Sequence, residues 1–284
     1  MNYGTEQLIA FVTERYTIYQ RRRAGLPWPW TNDPILRGWK FCNVYREIDR
    51  MTLWLHNNWL KPHAEDPDLF FAAAVARNVN WPETLAEIGY PVPWDPNHFL
   101  FVMSARKLRG DQLYSGAYMI RALPAGPGVS KPVYQTSHVF GPLWKCRELL
   151  RPQPGDTLEK YHALLESHYG FGSFMAAQVV ADLKPYGALE SATDWWTFAA
   201  SGPGSRRGLN RALGRPVSAP WREAEWREAL VALKAEVDPV WVWAEEGMPP
   251  VDAQNLQNCL CEFDKYERVR LGEGTPKMKF RRPV

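Results

Sequence analysis

The chain has 284 residues, 45% of them apolar and 13% aromatic, with a net charge of +3. That composition excludes a disordered chain and can bury a full core, as one large helical domain or two intimately packed lobes. The mild basicity permits nucleic-acid binding without demanding it. Cys42, Cys146, Cys259 and Cys261 lack the paired spacing of a secreted disulfide scaffold or a zinc ribbon, and the six histidines form no HExxH pair. With no signal-peptide pattern and no apolar run of membrane length, the expectation is a soluble cytosolic protein that uses neither metal nor cofactor.

In chain order, Leu8, Phe11, Val12, Tyr16 and Tyr19 recur at helical spacing and predict an amphipathic helix over about 5–23. A Pro/Trp-rich loop leads into LRGWKFCNVYREIDR, residues 36–50. Read as one helix, this run places Asn43, Glu47 and Arg50 on one side with Arg46 and Asp49 beside them. Val44, Ile48, Met51 and Leu55 then form an apolar stripe opposite. Such paired charges make either a solvated, salt-bridged face or a site for a phosphate-bearing substrate. Helices are predicted over 67–77, 81–88 and 97–107, whereas MIRAL (119–123) and VYQTS (133–137) read as short strands or extended loop.

Asp156 and Thr157 can cap a helix through Leu158, Tyr161, Leu164 and Leu165, followed by the turn YGFGS and a second helix over 174–183. Two helices joined by a turn with Gly170 and Gly172 read either as an ordinary αα-hairpin or as a helix-hairpin-helix unit. In the second case the backbone of Gly170, Gly172 and Ser173 holds a DNA phosphate. Asp194 lies twenty-two residues beyond Gly172. That separation resembles helix-hairpin-helix DNA glycosylases, in which an aspartate after the hairpin projects toward an extruded nucleotide. Ser173 and Phe174 stand where lyase-type glycosylases carry a lysine, so no Schiff base is expected. Further on, GPGSRRGL offers Arg206 and Arg207 to an anion, or else forms a basic turn capping a helix. No Walker sequence GxxxxGK[ST] occurs. A closing helix over 252–269 buries Leu256, Leu260, Phe263 and Tyr266 and leaves Glu262, Asp264, Lys265 and Arg268 polar. Basic groups also cluster at 21–23 and 277–282, as phosphate contacts or solubilising termini.

Taken together, WTNDPILRGWKFCNVYREIDR, YGFGSFMAAQVVADL, GPGSRRGL and LCEFDKYERV resemble the phage α-glutamyl/putrescinyl-thymine pyrophosphorylases. These are also called amino acid:DNA transferases and are distant relatives of the helical domain of hydroxymethyluracil DNA kinases. The resemblance spans about 28–268, with Cys42 standing where the family has threonine. It implies a mainly α, glycosylase-like fold with few or no short strands, one domain over 1–284 with lobes at about 1–150 and 151–284. It further implies phage DNA, in the infected host's cytoplasm, that carries phosphorylated or pyrophosphorylated 5-hydroxymethyluracil. An amine, from a free amino acid such as glycine or glutamate or from a polyamine, would displace the phosphate or pyrophosphate. An upstream DNA kinase and downstream tailoring enzymes would be the protein partners.

Under this reading Asp194, then Glu47 and Asp49, are candidate bases, and Arg46, Arg50, Arg206, Arg207 and Asn43 bind phosphate or amino acid. Tyr45, Trp195 and Trp196 are candidates for stacking on an extruded base or belong to the core, and Glu262 and Lys265 mark the C-terminal signature. The competing functions are a DNA glycosylase, a non-catalytic helical module partnered with a kinase, and a plain DNA-binding protein.

Overall fold

A computed structural model describes residues 2–116, 129–241 and 249–281, and among these the chain is mainly helical. In chain order the helices are α1 (Tyr3–Arg23), α2 (Pro34–Gly38), α3 (Arg50–Leu55), α4 (Leu69–Val79), α5 (Pro82–Ile88), α6 (Pro96–Arg109) and α7 (Lys131–Tyr134). They continue with α8 (Gly141–Lys145), α9 (Arg147–Leu150), α10 (Leu158–Glu166), α11 (Ser173–Leu183), α12 (Pro203–Ala212), α13 (Glu223–Val237) and α14 (Ala253–Arg270). Among the described residues there is no strand, only an isolated antiparallel bridge between Trp39 and Lys279. VYQTS is helical, running from α7 into a π-helical turn at Gln135–Phe140, and MIRAL lies outside the described residues. No helix among the described residues is long and apolar enough to cross a membrane.

The run 36–50 is not one helix. It ends α2, continues without regular structure through residues 40–45, makes a 3-10 turn at Arg46–Ile48 and only then enters α3. Trp39, Phe41, Val44 and Tyr45 are weak helix formers. Tertiary hydrogen bonds to the loop outweigh what helical propensity remains. The predicted apolar stripe is dissolved with the helix, since Val44 and Leu55 are buried in different compact units.

The chain forms two compact units, Met1–Asp49 with Trp196–Val284, and Arg50–Trp195. These boundaries differ from lobes divided near 150. In the first unit α1, α12, α13 and α14 bury Leu8, Phe11, Val12, Leu209, Trp226, Leu230, Leu260 and Phe263. Two glycines one turn apart allow α12 and α14 to pack at backbone distance. A Cβ on Gly208 would lie 2.0 Å from the Leu260 carbonyl oxygen, and one on Gly204 would lie 2.5 Å from Cys261 Sγ. Gly4 serves α1 against α12 in the same way, with the Arg211 carbonyl oxygen 2.1 Å from its would-be Cβ.

In the second unit α4 is apolar nearly all round and every one of its residues is buried, as that composition requires. Its Arg77 donates from Nε to Asp182 of α11 at 2.6 Å and from Nη2 to Thr52 at 3.0 Å, so the buried charge is paired and hydrogen-bonded. Phe71 of α4 packs edge to face with Trp94 and Trp144, and Phe140 does so with Trp94 and Phe99.

Replacing a helical glycine by alanine ordinarily favours a helix by about 1 kcal/mol. Gly208→Ala should nevertheless destabilise by about 1–3 kcal/mol, because its Cβ meets backbone that must move. Gly38→Ala, with nothing within 4 Å of its would-be Cβ, should leave stability nearly unchanged. Thermal melting of the two variants checks this, and equal midpoints would remove the close approach of α12 and α14.

Candidate functional site

Helix α14 starts at Asp252, whose carboxylate caps it by accepting the Asn255 N–H at 2.7 Å. Asn255, Asn258, Glu262 and Lys265 then follow at intervals of three and four and share one face, away from buried Leu256, Leu260 and Phe263. That polar face grips the loop 40–49. Asn255 Oδ1 accepts the Arg46 backbone N–H at 2.9 Å, and Asn258 Nδ2 donates to the Asn43 carbonyl at 3.3 Å. Glu262 Oε2 accepts the Cys42 N–H at 2.9 Å and pairs with Lys265 Nζ at 2.5 Å. Lys265 in turn donates to the Lys40 carbonyl at 3.0 Å. Both sequence signatures, more than two hundred residues apart, thus meet in one unit.

The side chains of the loop form a second layer of the same network. Asn43 donates from Nδ2 to Asp49 Oδ1 at 2.9 Å and accepts at Oδ1 from Arg15 Nη2 at 3.0 Å, which fixes its amide orientation. Asp49 also pairs with Arg46 Nε at 2.9 Å, and Arg46 Nη1 donates to Asn258 Oδ1 at 3.2 Å. Asn255 Nδ2 donates to both oxygens of Glu47, at 3.1 and 3.0 Å. Glu47 is exposed, Arg46 and Asp49 are half-buried, and Asn255, Asn258 and Glu262 are buried. Burial lowers the pKa of Arg15 while Asp49 raises it, and burial, reinforced by Glu262, pushes the Cys42 thiol up to about 12. The arrangement offers an accessible carboxylate next to an arginine whose direction is set by a second carboxylate. Arg15, Asn255 and Asn258 were missed in the sequence. The two amides carried a signal in their i, i+3 spacing after the Asp252 cap, but Arg15 carried none.

The remaining candidates have other surroundings. Tyr45 is buried and donates its hydroxyl to the Pro249 carbonyl at 2.7 Å, which makes it core rather than a stacking platform. Arg206 donates to Ser201 Oγ at 2.7 Å, the Trp221 carbonyl at 2.9 Å and Glu223 Oε2 at 2.8 Å. Arg207 donates to buried Asp264 at 2.9 Å, alongside Arg211 at 3.1 Å. GPGSRRGL is therefore mostly helix, with Gly204 and Gly208 serving close packing and its arginines tying α12 to neighbouring carboxylates, rather than an open anion loop. Trp196, also in the first unit, is exposed.

In the second unit, Arg50 is exposed, pairs with Glu83 and lies over the Trp81 ring. Trp195 donates its Nε1–H to the Lys184 carbonyl at 3.1 Å, with the Lys184 ammonium 3.9 Å from its ring centre. Asp194 accepts the N–H groups of Leu158 and Glu159 at 2.7 and 2.9 Å, so its carboxylate caps α10. At the hairpin Gly170 has φ +87°, and a Cβ there would meet Val139 at 2.8 Å. Gly172 is the N-cap of α11 without a side-chain capping bond, and His162 Nε2 lies 2.9 Å from the Ser173 carbonyl.

Removing the Asp194 cap should cost about 1–2 kcal/mol of stability, read as a lower denaturation midpoint for Asp194→Ala; an unchanged midpoint would remove the capping role. Because a thiolate is the species that alkylates, Cys42 should resist iodoacetamide in the folded protein at pH 8 and react after denaturation. Peptide mass spectrometry would read both states, and rapid labelling of folded protein would contradict the raised pKa.

A family model described as "5-hmdU DNA kinase, helical domain" matches residues 3–275. A 5-hmdU DNA kinase of Bacillus phage SP10 is 24% identical over 280 residues, covering 90% of this chain and 43% of that protein. The chain thus spans less than half the length of that curated relative. No solved structure matches the chain. On the match from Tyr3 to Thr275, which takes in both signatures and the helices that join them, the chain belongs to the 5-hmdU DNA kinase helical-domain family.

Proposed function

We propose that this chain acts on phage DNA containing 5-hydroxymethyluracil and transfers an amine-bearing donor, an amino acid or a polyamine, onto the 5-methylene of the phosphorylated base. The observation that carries this reading is the convergence of Asn43, Arg46, Glu47 and Asp49 with Asn255, Asn258, Glu262 and Lys265 in one hydrogen-bonded network. The relative's name ties the family to hydroxymethyluracil DNA, and the signatures that meet here are those resembling the amino acid:DNA transferases.

In the proposed reaction the methylene–oxygen bond breaks with its electron pair leaving on phosphate or pyrophosphate, assisted by electron donation from the uracil ring. Arg46, aimed by Asp49 and Asn258, stabilises the charge developing on the leaving group. The amine nitrogen forms the new carbon–nitrogen bond and releases a proton to a carboxylate. Glu47 takes this role ahead of Asp194, because Glu47 is exposed in the network whereas Asp194 holds two helix amides. Asp49 is a positioning residue. Lys265 and Glu262 hold the loop's backbone, and the hairpin around Gly170, Gly172 and Ser173 holds DNA through its phosphates without reading sequence.

The test is mass spectrometry of nucleosides after incubating phosphorylated hydroxymethyluracil DNA with candidate amines. Glu47→Gln should lower turnover about a hundredfold or more with little change in melting temperature, since the side chain is exposed. Arg46→Ala should cost roughly tenfold to a hundredfold, and Arg46→Lys should recover only part of it, because lysine lacks the planar fork. Abasic sites formed without any amine would replace this reading with a glycosylase. DNA binding with no product from any amine would replace it with a non-catalytic module.

A further inference from the structure

Three basic segments far apart in sequence are gathered onto one face of the first unit by an aromatic clasp. The C-terminal tail runs antiparallel to the residues after α2: Phe280 N–H donates to the Gly38 carbonyl at 3.0 Å, and Lys40 N–H donates to the Met278 carbonyl at 3.1 Å. Phe280 stacks on Trp28 with ring centres 5.4 Å apart and planes at 12°, and meets Trp30 edge-on at 6.3 Å. The end of α1 joins through Arg21, which donates to the Trp30 carbonyl at 2.7 Å, and Arg22, whose guanidinium lies 5.4 Å from the Trp30 ring centre. Trp30 closes the clasp by donating Nε1–H to the Leu26 carbonyl at 2.7 Å.

The clasp holds Arg22, Arg23, Lys40, Lys277, Lys279 and Arg281 exposed on adjoining segments. Lys279 and Arg281 flank Phe280, and in extended chain they point away from the side its ring occupies, about 7 Å apart. Nearby carboxylates are already engaged. Asp33 caps α2 and accepts the Tyr266 hydroxyl at 2.7 Å, and Glu14 lies 3.8 Å from Arg21. Among the described residues Arg23, Lys277, Lys279 and Arg281 make no ion pair. A merely solubilising tail has no need of backbone pairing and a stacked ring. Residues 276–281 also lie beyond the 3–275 span of the family match.

We infer that this clasped basic face is a binding surface for the phosphate backbone of duplex DNA, adjoining the Asn43–Asp49 network at Lys40 but made of other side chains. The aromatic rings are engaged with one another, which favours a polyanion held by cations over an inserted lipid-binding edge. The choice of DNA as partner rests on the DNA-directed reading of the family; the measurement below does not depend on amine transfer, so either can fail with the other standing.

The experiment is binding of full-length protein to an unmodified labelled duplex across a salt series, read by fluorescence anisotropy. Each lost phosphate contact lowers the slope of log K against log salt by about 0.9. The triple variant Arg23→Ala, Lys277→Ala, Lys279→Ala should therefore lose about 2.7 from the slope with an unchanged melting temperature. Phe280→Ala, which removes no charge, should also flatten the slope by releasing the tail. Unchanged affinity and slope in the triple variant would overturn the inference. So would loss of co-sedimentation with phosphatidylserine vesicles while duplex binding stayed intact, which would make the face a membrane surface.

Discussion

The approach of α12 to α14 at backbone distance is the constraint on which the first unit depends. Where Gly208 faces the Leu260 carbonyl there is no space for a side chain, and Gly204 faces Cys261 in the same way one turn earlier. This contact fixes both the position of α14 and its rotation about its own axis. With Leu256, Leu260 and Phe263 turned into the core, the 3.6-residue period leaves Asn255, Asn258, Glu262 and Lys265 facing the loop 40–49. A helix turned by one residue would present a different set. The polar network is thus a consequence of apolar packing on another side of the same helix.

Two kinds of arginine are separated by their surroundings. Arg207 and Arg211 converge on Asp264, which is 1% exposed, and Arg206 is held by Glu223, Ser201 and a carbonyl. These groups join α12 to its neighbours, with their donors engaged by carboxylates, a hydroxyl and a carbonyl. Arg46 is half-buried as Arg206 and Arg207 are, but its partners Asp49 and Asn258 are themselves held by Asn43 and α14. Such preorganisation lets a cation act on charge as it develops without first reorienting. Glu47, exposed yet tethered by Asn255, lies in the same loop, and the proposed reaction assigns it the incoming amine's proton.

The second unit is organised around α4, whose complete burial forces its one arginine into a paired, hydrogen-bonded setting with Asp182. The hairpin between α10 and α11 needs glycine at position 170 on two grounds, the left-handed φ and the Val139 side chain against it. Gly172 has neither constraint: a Cβ there would meet nothing within 4 Å. Asp194 stabilises this unit through the first turn of α10.

Much of the helical layout was legible in the sequence, because hydrophobic period and caps are local. The predicted 5–23 is observed as Tyr3–Arg23, 97–107 as Pro96–Arg109, and 174–183 as Ser173–Leu183, with Thr157 capping α10 as expected. The signatures also pointed to Asn43, Arg46, Glu47, Asp49, Glu262 and Lys265, which the fold brings together. Only the tertiary structure decided that 36–50 is broken rather than one helix, because the hydrogen bonds that hold it extended come from Asn255, Asn258 and Glu262, more than two hundred residues away. The same holds for Arg206, Arg207 and Asp194: residue type and spacing are alike for a charge that binds a ligand and one that joins helices. Which it is depends on what fills the space around it, and for these three that space is filled by Glu223, by Asp264 and by the amides of α10.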